Sequence, residues 1–291
     1  MKNKISSFLL YLILCLLFSS NAQAYIPPYW MIMSRTSDNH GKGVYTVEQD
    51  LVLNHGEEPL IIHERWTVQD ENNLRLEVTG RGSLQNRIRL TYVYQNNRRY
   101  FVDENGARRA EKIPNDFFEP YFHYRLSKNI KPMLVAQKIA PAISLKSDSH
   151  RYSEKSPFPP AEPYVRLSRT GGSVSYAIGS PTPVSSSDLY PGIWIEQDQF
   201  HVRKLRLPSQ FEIRADDFKK YSRGLWYPST LDLRWGDKSA KIQVKNVNAI
   251  NSTTQVKTSL QPTSLNYGEN PNLSRLFPDD ETIRYFYTHM R

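Results

Sequence analysis

Residues 60–78 read Leu60-Ile-Ile-His-Glu-Arg-Trp-Thr-Val-Gln-Asp-Glu-Asn-Asn-Leu-Arg-Leu-Glu-Val78. Leu60, Ile62, Trp66 and Val68 share one parity, Asp70-Glu71-Asn72-Asn73 turns the chain, and Leu74, Leu76 and Val78 alternate with Arg75, Glu77 and Thr79. Successive side chains of a strand point to opposite faces, so this period of two predicts a pair of antiparallel strands with one apolar face. The pattern extends outward on both sides. Upstream, Tyr45, Val47, Leu51 and Leu53 oppose Thr46, Glu48 and Asp50. Downstream, Ile88, Leu90, Tyr92 and Tyr94 oppose Arg87, Arg89 and Thr91, and Arg99–Asp103 runs into the hairpin signal Glu104-Asn105-Gly106. Such runs, about ten residues apart and punctuated by Asn, Asp and Gly, read as an antiparallel meander.

One residue in the opening stretch breaks its own pattern. Glu64 shares the parity of Ile62, Trp66 and Val68. An inward carboxylate needs a partner or a shifted pKa, and Arg75 or Arg89 would reach it only if a bulge shifted parity. The plainer reading makes the strand irregular there and leaves Glu64 in solvent.

The meander then gives way to aromatic, proline-broken sequence. Asn115–Leu126 carries Phe117, Phe118, Tyr121, Phe122 and Tyr124, and Asn129–Ile139 spaces Ile130, Met133, Leu134 and Ile139 close to a helical period. Pro120, Pro132 and Pro141 keep the pieces short, so two or three short helices are expected across about 114–140. A polar, Pro-rich loop or semi-rigid connector follows over 144–163. Alternation returns in Tyr164–Arg169, Ser173–Ile178, Gly192–Gln197, Phe200–Leu207, Gln210–Arg214, Trp226–Trp235 and Ala240–Ala249. Residues 251–291 form an extension, polar at first, in which Pro278-Asp279-Asp280-Glu281 caps a terminal helix with Ile283, Tyr285, Phe286 and Met290. The expected fold is mainly β with short helices: a curled antiparallel sheet, or half-barrel, of roughly ten to twelve strands.

The N-terminus supplies the compartment. Lys2 and Lys4 precede the apolar run Ile5–Phe18, and Ala22-Gln23-Ala24 closes it with a small-x-small site. This is the pattern of a secretory signal peptide cleaved after Ala24, and it implies a periplasmic protein. The single cysteine, Cys15, lies inside the signal, so neither disulfides nor thiol chemistry are expected of the exported chain. Leu12-Ile13-Leu14 before Cys15 argues against a lipoprotein signal. Without Lys2 and Lys4 the formal charge of +9 falls to +7, spread over pairs such as Arg98-Arg99, Arg108-Arg109 and Lys219-Lys220. That distribution predicts a basic surface without a nucleic-acid arm, and no second apolar stretch approaches a membrane span.

Motifs for catalysis are sparse. There is no G-x-S-x-G elbow. His63-Glu64 begins like a zinc helix motif, but Thr67 stands where its second histidine belongs, and the seven histidines show no ligand spacing. Asp216-Asp217 and Asp279-Asp280 read as turn and cap residues. A carboxylate pair for glycoside chemistry could still assemble in space. No cofactor, metal or catalytic residue is therefore assigned.

The order of parts resembles the periplasmic lipoprotein-carrier superfamily, the outer-membrane lipoprotein-sorting proteins of the LolA and LolB type. Gly43-Val-Tyr-Thr-Val-Glu-Gln49 looks like the family's first strand, and Glu64-Arg65-Trp66 through Leu74–Val78 like its paired second and third. Tyr92-Val-Tyr-Gln-Asn-Asn-Arg-Arg-Tyr-Phe101 looks like the strand–turn–strand before the helices. Gly192-Ile-Trp-Ile-Glu196, Phe200-His-Val-Arg-Lys204 and Tyr227-Pro-Ser-Thr-Leu231 resemble the return strands. The resemblance implies a half-barrel over 25–250 with helices across its concave face. It also implies binding of an apolar ligand, either a lipid or the acyl chain of a protein cargo, with an envelope or outer-membrane protein as a possible partner. On that reading Phe117, Phe118 and Phe122 form a displaceable lid, and Trp66, Leu74, Leu76, Leu90, Tyr92 and Phe101 line the face beneath. Alternatively the same aromatics are plain core in a filled half-barrel serving as an envelope scaffold, or the protein is an envelope hydrolase.

Overall fold

The computed structural model describes residues 25–53, 58–85, 87–103, 105–147, 162–183, 189–265 and 281–291. The expected signal peptide with its cleavage site, most of the expected Pro-rich loop, and the expected turn at His55-Gly56-Glu57 and cap at Pro278-Asp279-Asp280 lie outside the described residues.

Pro28, whose φ of −57° suits a helix entry, leads into helix α1 (Tyr29–Asp38), which buries Tyr29, Ile32, Met33 and Thr36 at helical spacing. Gly41 follows with φ +65°, where a Cβ would collide with the Tyr45 hydroxyl and with Leu225 Cβ at 2.8 Å. The chain then enters strands β1 (Val44–Leu53), β2 (Leu60–Asp70), β3 (Asn73–Gly80), β4 (Arg89–Gln95), β5 (Arg98–Val102) and β6 (Arg108–Lys112). It returns as β7 (Val165–Thr170), β8 (Ser173–Ile178), β9 (Gly192–Glu196), β10 (Val202–Arg206), β11 (Glu212–Lys220), β12 (Trp226–Trp235) and β13 (Lys238–Ile250).

All thirteen strands form one antiparallel sheet in the order β6-β5-β4-β3-β2-β1-β13-β12-β11-β10-β9-β8-β7. The first and last strands pair at its centre, Val44 opposite Ile250 and Leu53 opposite Ala240. The two edges, β6 and β7, are consecutive in sequence, so the segment between them must run from one edge of the sheet to the other. The helical interruption therefore has to cross the sheet, and Phe117, Phe118, Phe122, Ile130 and Leu134 put it on the face that carries Trp66 and Leu76, the concave one.

Three sequence expectations need correction. There are thirteen strands, not ten to twelve, because β6 reads Arg-Arg-Ala-Glu-Lys and is exposed along its whole length. An edge strand of long charged residues shows no alternation to detect, and that same charge protects the edge from further pairing. Asp216 and Asp217 are not turn residues: both lie in β11, with Asp216 opposite Thr230. The aromatic stretch after Pro114 is not a helix over 115–126 but a turn followed by a short 3-10 segment at Glu119–Phe122, begun by Pro120. Its five aromatics are all buried, so it has no polar face from which to form a surface helix. One true helix follows, α2 (Ser127–Ala136), which buries Ile130 and Leu134.

The extension after β13 covers both sides of the sheet. Helix α3 (Thr254–Ser259) and the turn after it reach the convex face, where Leu265 packs with Val93 and Val102. Helix α4 (Glu281–His289) buries Ile283, Phe286 and Tyr287 in the concave core.

Candidate functional site

The inward parity of β1 and β2 places Val47 opposite Trp66, Gln49 opposite Glu64 and Leu51 opposite Ile62. β2 is regular through this stretch, so Glu64 faces the interior with no surface exposed to solvent. The expectation of an irregular strand with a solvated Glu64 is overturned. The two arginines considered as partners are elsewhere. Arg75 faces outward to Glu77 at 2.9 Å and to Ser259 and Ser264, and Arg89 is exposed at the start of β4.

The partner is Arg291, 227 residues away, immediately beyond α4. Its Nε and Nη2 donate to the two Glu64 oxygens at 3.0 and 2.9 Å, a bidentate fork. Gln49 Nε2 donates to Glu64 Oε2 at 2.8 Å, and the Tyr287 hydroxyl to Glu64 Oε1 at 2.9 Å. The carboxylate thus has four donors, which is how a charge this deep is stabilised.

A second buried carboxylate, Glu119 in the aromatic segment, completes the site. Arg291 Nη1 lies 3.1 Å from Glu119 Oε1. The Tyr227 hydroxyl donates to Glu119 Oε2 at 3.3 Å, and His123 Nε2 is 3.6 Å from that oxygen. Burial alone would raise the Glu119 carboxyl, but Arg291, His123 and Tyr227 outweigh it and hold its pKa below the ordinary value. Burial likewise opposes the charge on Arg291, and Glu64 and Glu119 overcome it, raising the guanidinium pKa. The guanidinium carbon also sits 4.7 Å from the Phe118 ring centroid, 4.9 Å from Phe286 and 5.3 Å from Trp66. One cation is therefore shared between two carboxylates inside an aromatic box.

Arg99 on β5 fixes the helix that delivers it. Its Nη1 donates to Tyr287 O at 2.8 Å and to the backbone oxygen of Arg291, and its Nη2 to Glu111 at 2.7 Å. A cation there meets the negative end of the helix dipole.

The nine apolar residues expected to form the ligand face and lid all join the same core. Trp66, Leu74, Leu76, Leu90, Tyr92, Phe117, Phe118 and Phe122 are buried, and Phe101 is half-buried against them. Phe117 stacks on Tyr94 at 4.6 Å, Phe118 packs on Phe211 and Phe122 on Tyr227. Sequence reasoning missed Gln49, Arg99, Glu119, Tyr287 and Arg291. Gln49 was findable, being a polar residue on the apolar parity of β1 directly opposite Glu64. Among the described residues, no three His, Cys, Asp or Glu side chains converge as a metal site, and no helix is long and apolar enough to cross a membrane.

The half-barrel is similar to that of a LolA superfamily protein from Nitrosomonas europaea, with a TM-score of 0.51 at 8% identity over 82% of this chain and 100% of that one. A putative outer membrane lipoprotein-sorting protein domain from Vibrio parahaemolyticus aligns over 81% of this chain and 97% of its own, with a TM-score of 0.48 at 9% identity. A DUF1329 family protein from Desulfovibrio piger aligns over 81% and 97%, with a TM-score of 0.40 at 9% identity. No family model matches the sequence, and no curated protein matches it. The protein has a LolA-like fold, and the likeness lies in the fold rather than in the sequence.

Proposed function

We propose that the protein is a periplasmic, non-catalytic binding protein that carries an apolar ligand, a lipid or the acyl chain of a lipoprotein, on the concave face of the half-barrel. The observation that carries this reading is how the concave face is covered. Trp66, Leu74, Leu76, Leu90 and Tyr92 form an apolar floor, and what lies over it is joined to the sheet through side chains rather than through a backbone ladder. Helix α4 and the chain just beyond it are held by Arg291 on Glu64 and Glu119, by the Tyr287 hydroxyl on Glu64, and by side-chain bonds from Arg99 and Lys238. Exchanging that cover for a ligand breaks none of the ladder hydrogen bonds that hold the strands together.

Burial is worth about 0.8 kcal/mol per methylene, so a chain of about 16 carbons gains on the order of 12 kcal/mol before costs. A carrier that bound with all of that would not release its load. The C-terminal segment that buries Ile283, Phe286 and Met290 in the same core competes with a ligand for that apolar space and moderates the net affinity. Catalysis finds little support at the carboxylate pair: a general acid needs a raised pKa, and Glu119 is held low.

A second reading has its own support. Trp66 and Arg291 are completely buried, as they would be in a filled half-barrel that serves as an envelope scaffold. Native mass spectrometry of the mature protein, purified from its own envelope without detergent and followed by lipid extraction, separates the two. A co-purifying acyl species near one per chain is the expected result. A bare mass that takes up no added lipid or acylated peptide would sink the carrier reading in favour of the scaffold.

A further inference from the structure

The concave face is not uniformly apolar, and one buried polar cluster on it is built around a particular charge. Glu64 is fixed by β2 and Gln49, and Glu119 by the aromatic segment with Tyr227 and His123. Each carboxylate therefore has partners that do not come from α4 or the residues after it, although three of the four donors to Glu64 do. What α4 and the two residues after it supply is the cation, Arg291, together with the Tyr287 hydroxyl. Trp66 and Phe118, which face the guanidinium, also belong to the receptor side. Of the other charged groups nearby, Arg99 is paired with Glu111, and burial lowers the pKa of His123 and favours its neutral form.

We propose that the half-barrel selects amphiphiles with a cationic head, an ammonium or guanidinium group, which takes the place of Arg291 between Glu64 and Glu119. This rests on the carrier reading given above and names its ligand class. A neutral or anionic amphiphile that displaced α4 would leave two carboxylates buried without a counter-charge. An uncompensated buried charge is far more costly than an exposed one. A cationic head restores the ion pairs and the contacts with the Trp66 and Phe118 rings while its chain occupies the core space vacated by Phe286 and Met290.

The test uses the full mature chain and three single-chain probes of equal length, each below its micellar concentration: dodecylguanidinium, dodecyl maltoside and dodecanoate. Binding is read by calorimetry and by tryptophan fluorescence, on the wild type and on Arg291→Ala, in which the competing cation is gone. Dodecylguanidinium is expected to bind roughly a hundredfold more tightly than either other probe, with the preference largest in Arg291→Ala. Methylguanidinium, which has no chain, is expected to raise the melting temperature of Arg291→Ala and not that of the wild type. Equal binding of all three probes would overturn the head-group selectivity and leave the apolar carrier standing. Binding of none to either protein would overturn both. If Arg291→Ala does not fold, Glu119→Gln serves instead, and the proposal then requires the preference for the cationic probe to shrink at least tenfold; an undiminished preference overturns it.

Discussion

Glu64 on the concave face and Glu212 on the convex face each gather basic side chains, but the two clusters are assembled differently. Glu212 on β11 lies 3.0 Å from Lys204 and 2.8 Å from Arg214, and also accepts from Arg206. These partners come from β11 itself and its neighbour β10, so one antiparallel pairing brings all of them together. Glu64 instead waits for Arg291, which arrives from the far end of the sequence on a helix outside the sheet. The convex cluster is thus a consequence of strand register, with several cations around one carboxylate. The concave cluster is a docking contact, with one cation between two carboxylates. The first should form whenever the β10–β11 pair forms, and the second only when α4 is seated.

The difference is exposed most strongly by Arg291→Ala. It leaves Glu64 and Glu119 in an apolar interior without their cation, a loss expected to cost roughly 3–5 kcal/mol. At about 2–4 °C per kcal/mol for a domain of this size, the melting temperature should fall by about 10 °C. Thermal and urea unfolding measure it directly. A loss below about 1 kcal/mol, the range of exposed ion pairs, would mean that α4 does not occupy the concave face in solution. Arg99→Ala tests the same docking from the sheet side. It removes the charge-assisted bonds to Tyr287 O and to the Arg291 backbone while leaving the Glu64 fork in place. A loss of roughly 2 kcal/mol is expected. In a double-mutant cycle with Arg291→Ala the two losses should be non-additive, because both act through one helix.

Much of this architecture could be read from residues because β-strands write their faces in alternation. Leu60–Val78 fixed two strands, their turn and their inward side chains, and β2 and β3 pair with Trp66 opposite Leu76. The nine apolar candidates were legible on the same basis, since an apolar side chain on the inward parity has only the core to enter. The polar part of the site was not. Glu64 announced itself as an anomaly, but its partner lies on no neighbouring strand, and periodicity carries no information about contacts between a sheet and a distant helix. Arg291 looks like any basic residue at the end of an amphipathic helix. Glu119 lies in a stretch whose composition suggested a helix and whose proline prevents one. β6 escaped because exposure on both faces erases the alternation by which the other strands were found.

Acid should weaken the molecule in two stages. His40 is buried, with Nδ1 2.6 Å from Tyr124 O. Burial, reinforced by His123, Arg125 and His201 and only partly offset by that bond, lowers its pKa to about 3. Its folded pKa is below the unfolded value of 6.5, so its contribution to stability is complete above pH 6.5 and declines as the pH falls toward 3. The Glu119 pKa is also lowered, so its contribution is complete above its unfolded value of 4.5 and is lost only below that. Urea unfolding from pH 7.5 to 3.5 should therefore show a first decline that starts near 6.5. His40→Gln should reduce that first decline, to which His123 and His201, also lowered by burial, contribute the rest, without altering the second. An unchanged slope would remove His40 as one of its sources.

Glu212→Gln is expected to have the smallest effect, and its character matters more than its size. Glu212, Lys204 and Arg206 are buried while Arg214 is half-exposed, but the strand pairing stays and a glutamine still accepts from these donors, so roughly 1–2 kcal/mol should be lost. Salt at 0.5 M should trim that loss only through the half-exposed Arg214 contact, and the loss from Arg291→Ala, whose ion pairs are fully buried, should hardly respond to salt. Lys204 gives a local readout. Burial lowers its amine to about 8, with Glu212 pulling the other way. Its Nζ also sits 4.7 Å from the Trp194 ring centroid. Removing the carboxylate should therefore lower the Lys204 pKa further, and NMR titration of the selectively labelled lysine would show it. A Lys204 pKa that rose or stayed put would mean that Glu212 is not the group holding its proton, and the two clusters would then differ in less than their assembly suggests.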